Sequence, residues 1–355
     1  MKLFIYILIF LFPISGYTQL NKELWIEGRA KIGFLAAHSS LMGHLAKQHA
    51  YGAELSLIHQ AKGNKKWHAA YKYPSMGITA FATTVGNKEV LGNYYGIFSF
   101  FNLPLIKKEK FSVSTKLAAG LGYTNRAYHP DDNKLNVAVS TKLNARITIG
   151  LDARFSHKSH YFSIGIDASH FSNAAIKVPN LGLNMPFLSL AYGHKINEVE
   201  NTIETESKKE KYWEYGALAI ASVKETFPTG GPKYPVYGLN FYGRRFFNSN
   251  TAMELSLDFI SKQAILDYHK DIPKTQYEIL QIGTFVGFIL PFDHFHLITG
   301  MGVYLKDKYQ PEDFLYHRVG MRYVFDNGIN LNLVLKSHWA RADYTEFGIG
   351  YSFKK

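Results

Sequence analysis

From Thr345 to Phe353 the chain alternates without a break: Thr345, Phe347, Ile349, Tyr351 and Phe353 fall on one side, Glu346, Gly348, Gly350 and Ser352 on the other. Residues two apart share a face only in an extended strand, so this pattern excludes a helix there. Met253–Phe259 and Leu143–Leu151 repeat it, with charges opposite the aliphatics. About sixteen such segments follow one another, near 26–37, 51–61, 67–83, 95–105, 111–122, 141–154, 160–172, 187–195, 212–223, 235–246, 250–260, 277–290, 293–305, 314–325, 328–337 and 343–353. The fold class is therefore all-β. Past the first residues, no stretch is apolar over the roughly 20 residues that a membrane-crossing helix needs.

Soluble antiparallel sheets alternate too, with the oily face turned in. Here glycine and charge occupy the second face of many strands. Aromatics make up 15% of the chain, charged residues only 19%, and mean hydropathy is −0.13. Strands that turn the oily face outward to lipid and the wet face inward fit this profile, which predicts a transmembrane antiparallel β-barrel. Pro74, inside the third segment, requires a bulge, a break or an edge position.

Short turns, such as Asn248-Ser249-Asn250 and Asp326-Asn327-Gly328, whose Asn-Gly pair suits a type I′ hairpin, separate longer connections at 38–50, 123–140, 173–185, 224–234 and 261–276. Outer-membrane barrels keep short turns on the periplasmic side, which places 173–185 on the cell exterior. The charged stretch 197–211 falls where a periplasmic turn is due, as a linker or turn between 19–196 and 212–355. Each half carries about eight strands, which permits one barrel of about sixteen or two tandem eight-stranded units.

The N-terminus, Lys2 followed by the apolar run Leu3–Phe12, Pro13 and small residues, reads as a secretory signal peptide over 1–18, with Gly16 and Thr18 preceding the cut. Export and a barrel together predict the cell outer membrane. The other end, Phe353-Lys354-Lys355, carries two lysines beyond the aromatic residue on which many such barrels finish. The chain has no cysteine, which rules out thiol catalysis. Its net charge of +12 attracts polyanions of any kind; for an exported barrel the phosphorylated lipid surface, not nucleic acid, is the expected partner.

On the strand ending at residue 172, Phe162, Ile164, Ile166, Ala168, His170 and Ser172 share one face, with Ser163, Gly165, Asp167 and Ser169 opposite. His170 and Ser172 thus continue the lipid-facing row, about 7 Å apart at Cα, where an imidazole can deprotonate a hydroxyl. Asn184, on the outward row of the following strand, approaches them across the hairpin. Accepting a hydrogen bond from one imidazole nitrogen, it would fix the tautomer that leaves the other free as base.

The segment His170-Phe171-Ser172-Asn173-Ala174 through Pro179-Asn180-Leu181-Gly182 to Asn184 resembles the His-x-Ser-Asn-Ala…Pro-Asn-x-Gly motif of the lipid A 3-O-deacylases, the PagL family of acyloxyacyl-hydrolase barrels. The likeness extends over roughly 24–196 and leaves 211–355 outside it. It implies a lipid A deacylase acting on lipopolysaccharide, with His170 as general base, Ser172 as nucleophile, and no cofactor or metal. Asn173, through its backbone N–H, and Asn180, through its side chain, are the candidate oxyanion stabilisers, and Gly182 would let the loop come close. The family carries a glutamate where this chain has Asn184; asparagine can orient an imidazole but cannot stabilise imidazolium by charge. Asp167 has the wrong parity to substitute.

The competing reading is a non-catalytic barrel: a channel, a scaffold, or a relative that has lost activity. A soluble secreted β-protein binding acidic glycans is a third. Neither needs the dyad. His38, His44 and His49 lack tight ligand spacing and read as solvated loop histidines rather than a metal site. Lys62, Lys65 and Lys66, like Lys107, Lys108 and Lys110, read as solvated turn faces. The sequence leaves the oligomeric state open.

Overall fold

The computed structural model describes residues 23–63, 65–197, 211–309, 312–339 and 341–355. The expected signal peptide and nearly all of the charged stretch 197–211 lie outside the described residues. Eight strands, β1 (Glu23–Phe34), β2 (His49–Gln60), β3 (Ser75–Thr84), β4 (Asn93–Lys107), β5 (Phe111–Thr124), β6 (Leu143–His157), β7 (His160–Ser172) and β8 (Leu183–Lys195), pair antiparallel with their sequence neighbours. β1 then pairs with β8, Trp25 opposite Lys195 through Gly33 opposite Phe187, closing the first barrel. Eight more follow: β9 (Tyr212–Glu225), β10 (Lys233–Asn248), β11 (Thr251–Lys262), β12 (Leu280–Phe292), β13 (Phe295–Lys306), β14 (Leu315–Val324), β15 (Ile329–His338) and β16 (Arg341–Lys354). β16 pairs with β9, so this set also closes on itself. Of the two architectures the sequence permits, two eight-stranded barrels is the one adopted.

The alternation sorts side chains as the strand period demands. Ile147, Ile149, Leu151, Phe162, Ile164, Ile166, Leu188 and Leu190 stand exposed on the outside of the first barrel, and Leu239, Phe241, Leu255, Leu257 and Ile349 on the second. Rows of exposed apolar side chains on neighbouring strands of this kind mark a surface that contacts lipid or protein rather than water. The charged face points inward and is internally paired. In the first barrel Arg29 bonds Asp152 at 2.6 Å, Lys31 bonds Asp167 at 2.7 Å and Arg146 bonds Glu54 at 2.8 Å. In the second, Arg244 bonds Glu254 at 2.6 Å, and Arg318 bonds Asp258 at 2.6 Å and Glu346 at 2.8 Å. An eight-stranded barrel is narrow enough for side chains to occupy its interior, and these ion pairs lie across it.

Two local expectations need correction. The third segment starts with a short helix, Lys66–Ala70, and the strand begins only at Ser75; Pro74, which has no N–H for a ladder, stands just before it, and its carbonyl accepts from the Ala61 N–H at 3.0 Å. At Asp326-Asn327-Gly328 only Gly328 has positive φ, at +86°, and its N–H donates to the Phe325 carbonyl at 2.9 Å. That geometry is a type I turn with a left-handed glycine, not the type I′ turn the Asn-Gly pair suggests.

Candidate active site

β7 is held by its inward residues. Phe171, between the two candidate catalytic residues, is fully buried against Tyr94 (ring centroids 4.8 Å apart) and Phe81 (5.9 Å). The Arg146 guanidinium lies 4.2 Å from the Phe81 and Phe98 rings and hydrogen-bonds Ser169 at 3.2 Å. With Phe171 wedged inward, His170 and Ser172 must project from the opposite side. Exposure along that row falls from 65% at Phe162 to 5% at Ser172.

His170 lies directly opposite Asn184 in the β7–β8 register. Its Nδ1–H donates to Asn184 Oδ1 at 2.6 Å. Nε2 is therefore the ring nitrogen without the proton, the form a base requires. The other end of the amide is also engaged: Asn184 Nδ2 donates to His38 Nδ1 at 3.0 Å. The loop histidine read as merely solvated is thus a partner of the site. His44 Nε2 goes elsewhere, to the Leu135 carbonyl at 2.8 Å, and His49 is the exposed first residue of β2.

The connection 173–182 is tied down by the β5–β6 loop. Gly182 N–H donates to the Ala138 carbonyl at 2.8 Å, and Asn173 Nδ2 to Ser140 Oγ at 3.0 Å. Asn136, fully buried, accepts from the N–H groups of Ala138 and Val139 and donates to the Arg126 carbonyl at 2.6 Å. These supports gave no signal in the sequence, since neither loop carries a recognisable pairing pattern. Gly182 has φ +77°, and a Cβ there would lie 2.5 Å from His170 Cε1, so only glycine permits the loop to lie against the imidazole.

Asn173 and Asn180 come together, though not as two converging donors. The Asn173 N–H donates to Asn180 Oδ1 at 2.9 Å, so that N–H is taken and the Asn180 NH₂ is the donor group left to the pair. Asp167 points inward to Lys31, as its parity requires.

The first barrel matches the family described as lipid A 3-O-deacylase (PagL) over residues 51–193. The second matches the acyloxyacyl hydrolase C-terminal domain over 212–355. The chain belongs to the PagL family. The C-terminal half, which the motif around His170 left outside the resemblance, is thereby a PagL-associated domain as well. PagL-family membership makes the protein a lipid A deacylase by family and an ester hydrolase by reaction class. No curated protein matches the chain significantly. Among solved structures, the NanC porin is 8% identical over 93% of this chain and 97% of its own, with a TM-score of 0.18. A mutant of Rh. blastica porin is 7% identical over 93% of this chain and 100% of its own, at 0.17. At those scores neither likeness carries an argument.

Among the described residues one further group, Glu312, His338 and Asp343 in the second barrel, brings three metal-ligating atoms within 4.8 Å. Both carboxylates already pair with two lysines, Glu312 with Lys224 and Lys262 at 2.5 Å each, Asp343 with the same two. Ion pairing accounts for the cluster without a metal.

Proposed function

We propose that the first barrel sits in the outer membrane and cleaves an ester of a 3-hydroxyacyl chain on lipid A by a serine mechanism, with Ser172 as nucleophile, His170 as base and Asn184 as the group that orients the imidazole. The observation that carries this reading is the 2.6 Å bond from His170 Nδ1–H to Asn184 Oδ1, which leaves Nε2 without a proton, with Ser172 two residues along the same strand face. The apolar outer belt supports the membrane assignment, and the net charge of +12 suits a phosphorylated glycolipid.

Nε2 takes the Ser172 proton as Oγ attacks the ester carbonyl. The tetrahedral oxyanion is held by the Asn180 NH₂, which takes over the role that the Asn173 N–H and Asn180 were expected to share. Collapse expels the sugar hydroxyl, which receives the proton from His170. Water, deprotonated by the same imidazole, then releases the fatty acid from Ser172. Because the dyad lies on the outer wall, the acyl chains of the substrate stay in the bilayer throughout.

The test is to produce the protein and Ser172→Ala in a strain whose lipid A bears the ester, and to compare lipid A masses. Loss of one acyl chain with the parent and none with Ser172→Ala is expected. Identical masses would instead support a barrel that no longer catalyses, the reading that the neutral Asn184 favours.

A further inference from the structure

We infer that His38 is a positioning residue of this proposed hydrolase: by accepting a hydrogen bond from the Asn184 amide, it decides which end of that amide faces His170 and so which imidazole nitrogen is left to act as base. The inference rests on the serine-hydrolase reading. It begins from a property of asparagine that a carboxylate lacks. A carboxylate accepts through either oxygen, so an imidazole beside it always donates. An amide has one accepting and one donating end, and rotating it by half a turn exchanges them.

Two self-consistent arrangements of the trio follow. In the observed one, Asn184 Oδ1 accepts from His170 Nδ1–H while Asn184 Nδ2 donates to His38 Nδ1. His170 Nε2 is then free to receive the Ser172 proton. In the rotated one, Nδ2 would donate to His170 Nδ1, the His170 proton would move to Nε2, and the imidazole could no longer act as base. His38 selects between them through its own tautomer: with its proton on Nε2, its Nδ1 can only accept, and only the observed orientation offers it a proton.

The fold fixes His38 where it can do this. The Ala36 N–H donates to the Asn184 backbone carbonyl at 2.9 Å, extending the β1–β8 seam past the end of β1. One residue after His38, Ser39 caps the short helix Ser40–Leu45, whose Met42 and Leu45 are fully buried. His38 is therefore held between a backbone bond to Asn184 itself and an anchored helix, although its own side chain is exposed.

The experiment uses the full chain in detergent micelles with ¹⁵N-labelled histidine. NMR should find the neutral His170 proton on Nδ1 in the parent, redistributed toward Nε2 in His38→Ala, and back on Nδ1 in His38→Asp, whose carboxylate oxygens can only accept. Turnover should fall about tenfold in His38→Ala, the worth of one hydrogen bond of this kind, and recover to within about twofold in His38→Asp. In an Asn184→Asp background, where either oxygen accepts, His38→Ala should change turnover by less than about twofold. An unchanged His170 tautomer in His38→Ala, or an equal loss of turnover in both backgrounds, overturns the inference. If instead Ser172→Ala leaves lipid A exactly as the parent does, the hydrolase reading fails, and the tautomer measurement still decides whether His38 sets the imidazole.

Discussion

A Cβ at Gly182 would meet His170 Cε1 at 2.5 Å and the Phe171 carbonyl oxygen at 3.2 Å, on a backbone whose φ of +77° disfavours any side chain. Gly182→Ala must push the imidazole or the loop away, and a displacement of about 1 Å at a reacting group costs on the order of 100-fold. Deacylation of that variant, measured by lipid A mass against time, should fall by that order while circular dichroism retains the barrel. The reverse direction is open at Asn184. Asn184→Glu supplies the charge that stabilises imidazolium, and turnover should rise at least about tenfold, a fraction of the roughly 10⁴ that the opposite Asp-to-Asn change removes in a serine-protease triad. The facing of His170 and Asn184 was legible in the sequence because strand parity and one hairpin relate them. His38 was not, because it meets Asn184 across the seam where the first and last strands of the barrel join, 146 residues away in sequence.

Among elements, β7 was the most legible, since its two faces differ sharply in polarity and its ends, 160 and 172, coincide with the expected ones. The third strand was the least, because Pro74 interrupts the apolar pattern and the residues before it fold as a helical turn. The β5–β6 loop was legible only as a long connection near 123–140; that it carries the 173–182 connection through Ala138 and Ser140 was not. Asn136 organises that loop with both ends of its side-chain amide. Asn136→Ala leaves buried backbone groups without partners and should lower stability by about 1–3 kcal/mol, read as a lower denaturant midpoint. Activity should fall with it, as Gly182 loses a fixed Ala138 carbonyl.

At the scale of the molecule, the sequence supplied the strand count but not the closure, which depends on pairings between β1 and β8 and between β9 and β16 that alternation within a strand cannot encode. Each barrel's lumen is crossed by paired charges, so neither should conduct ions; planar-bilayer recordings should show no stepwise current. In the second barrel Arg318 balances both Asp258 and Glu346, and Arg318→Ala should destabilise that barrel by about 3–5 kcal/mol through the carboxylates left behind, measurable as an earlier loss of its structure in denaturant. The place of His170 on the outward row of β7 has a kinetic consequence. For the proposed reaction, substrate arrives by lateral diffusion, so the rate should follow the mole fraction of lipid A in the surrounding film rather than its amount per volume of solution. Adding inert detergent at constant total lipid A should slow the enzyme by surface dilution, and adding buffer should not.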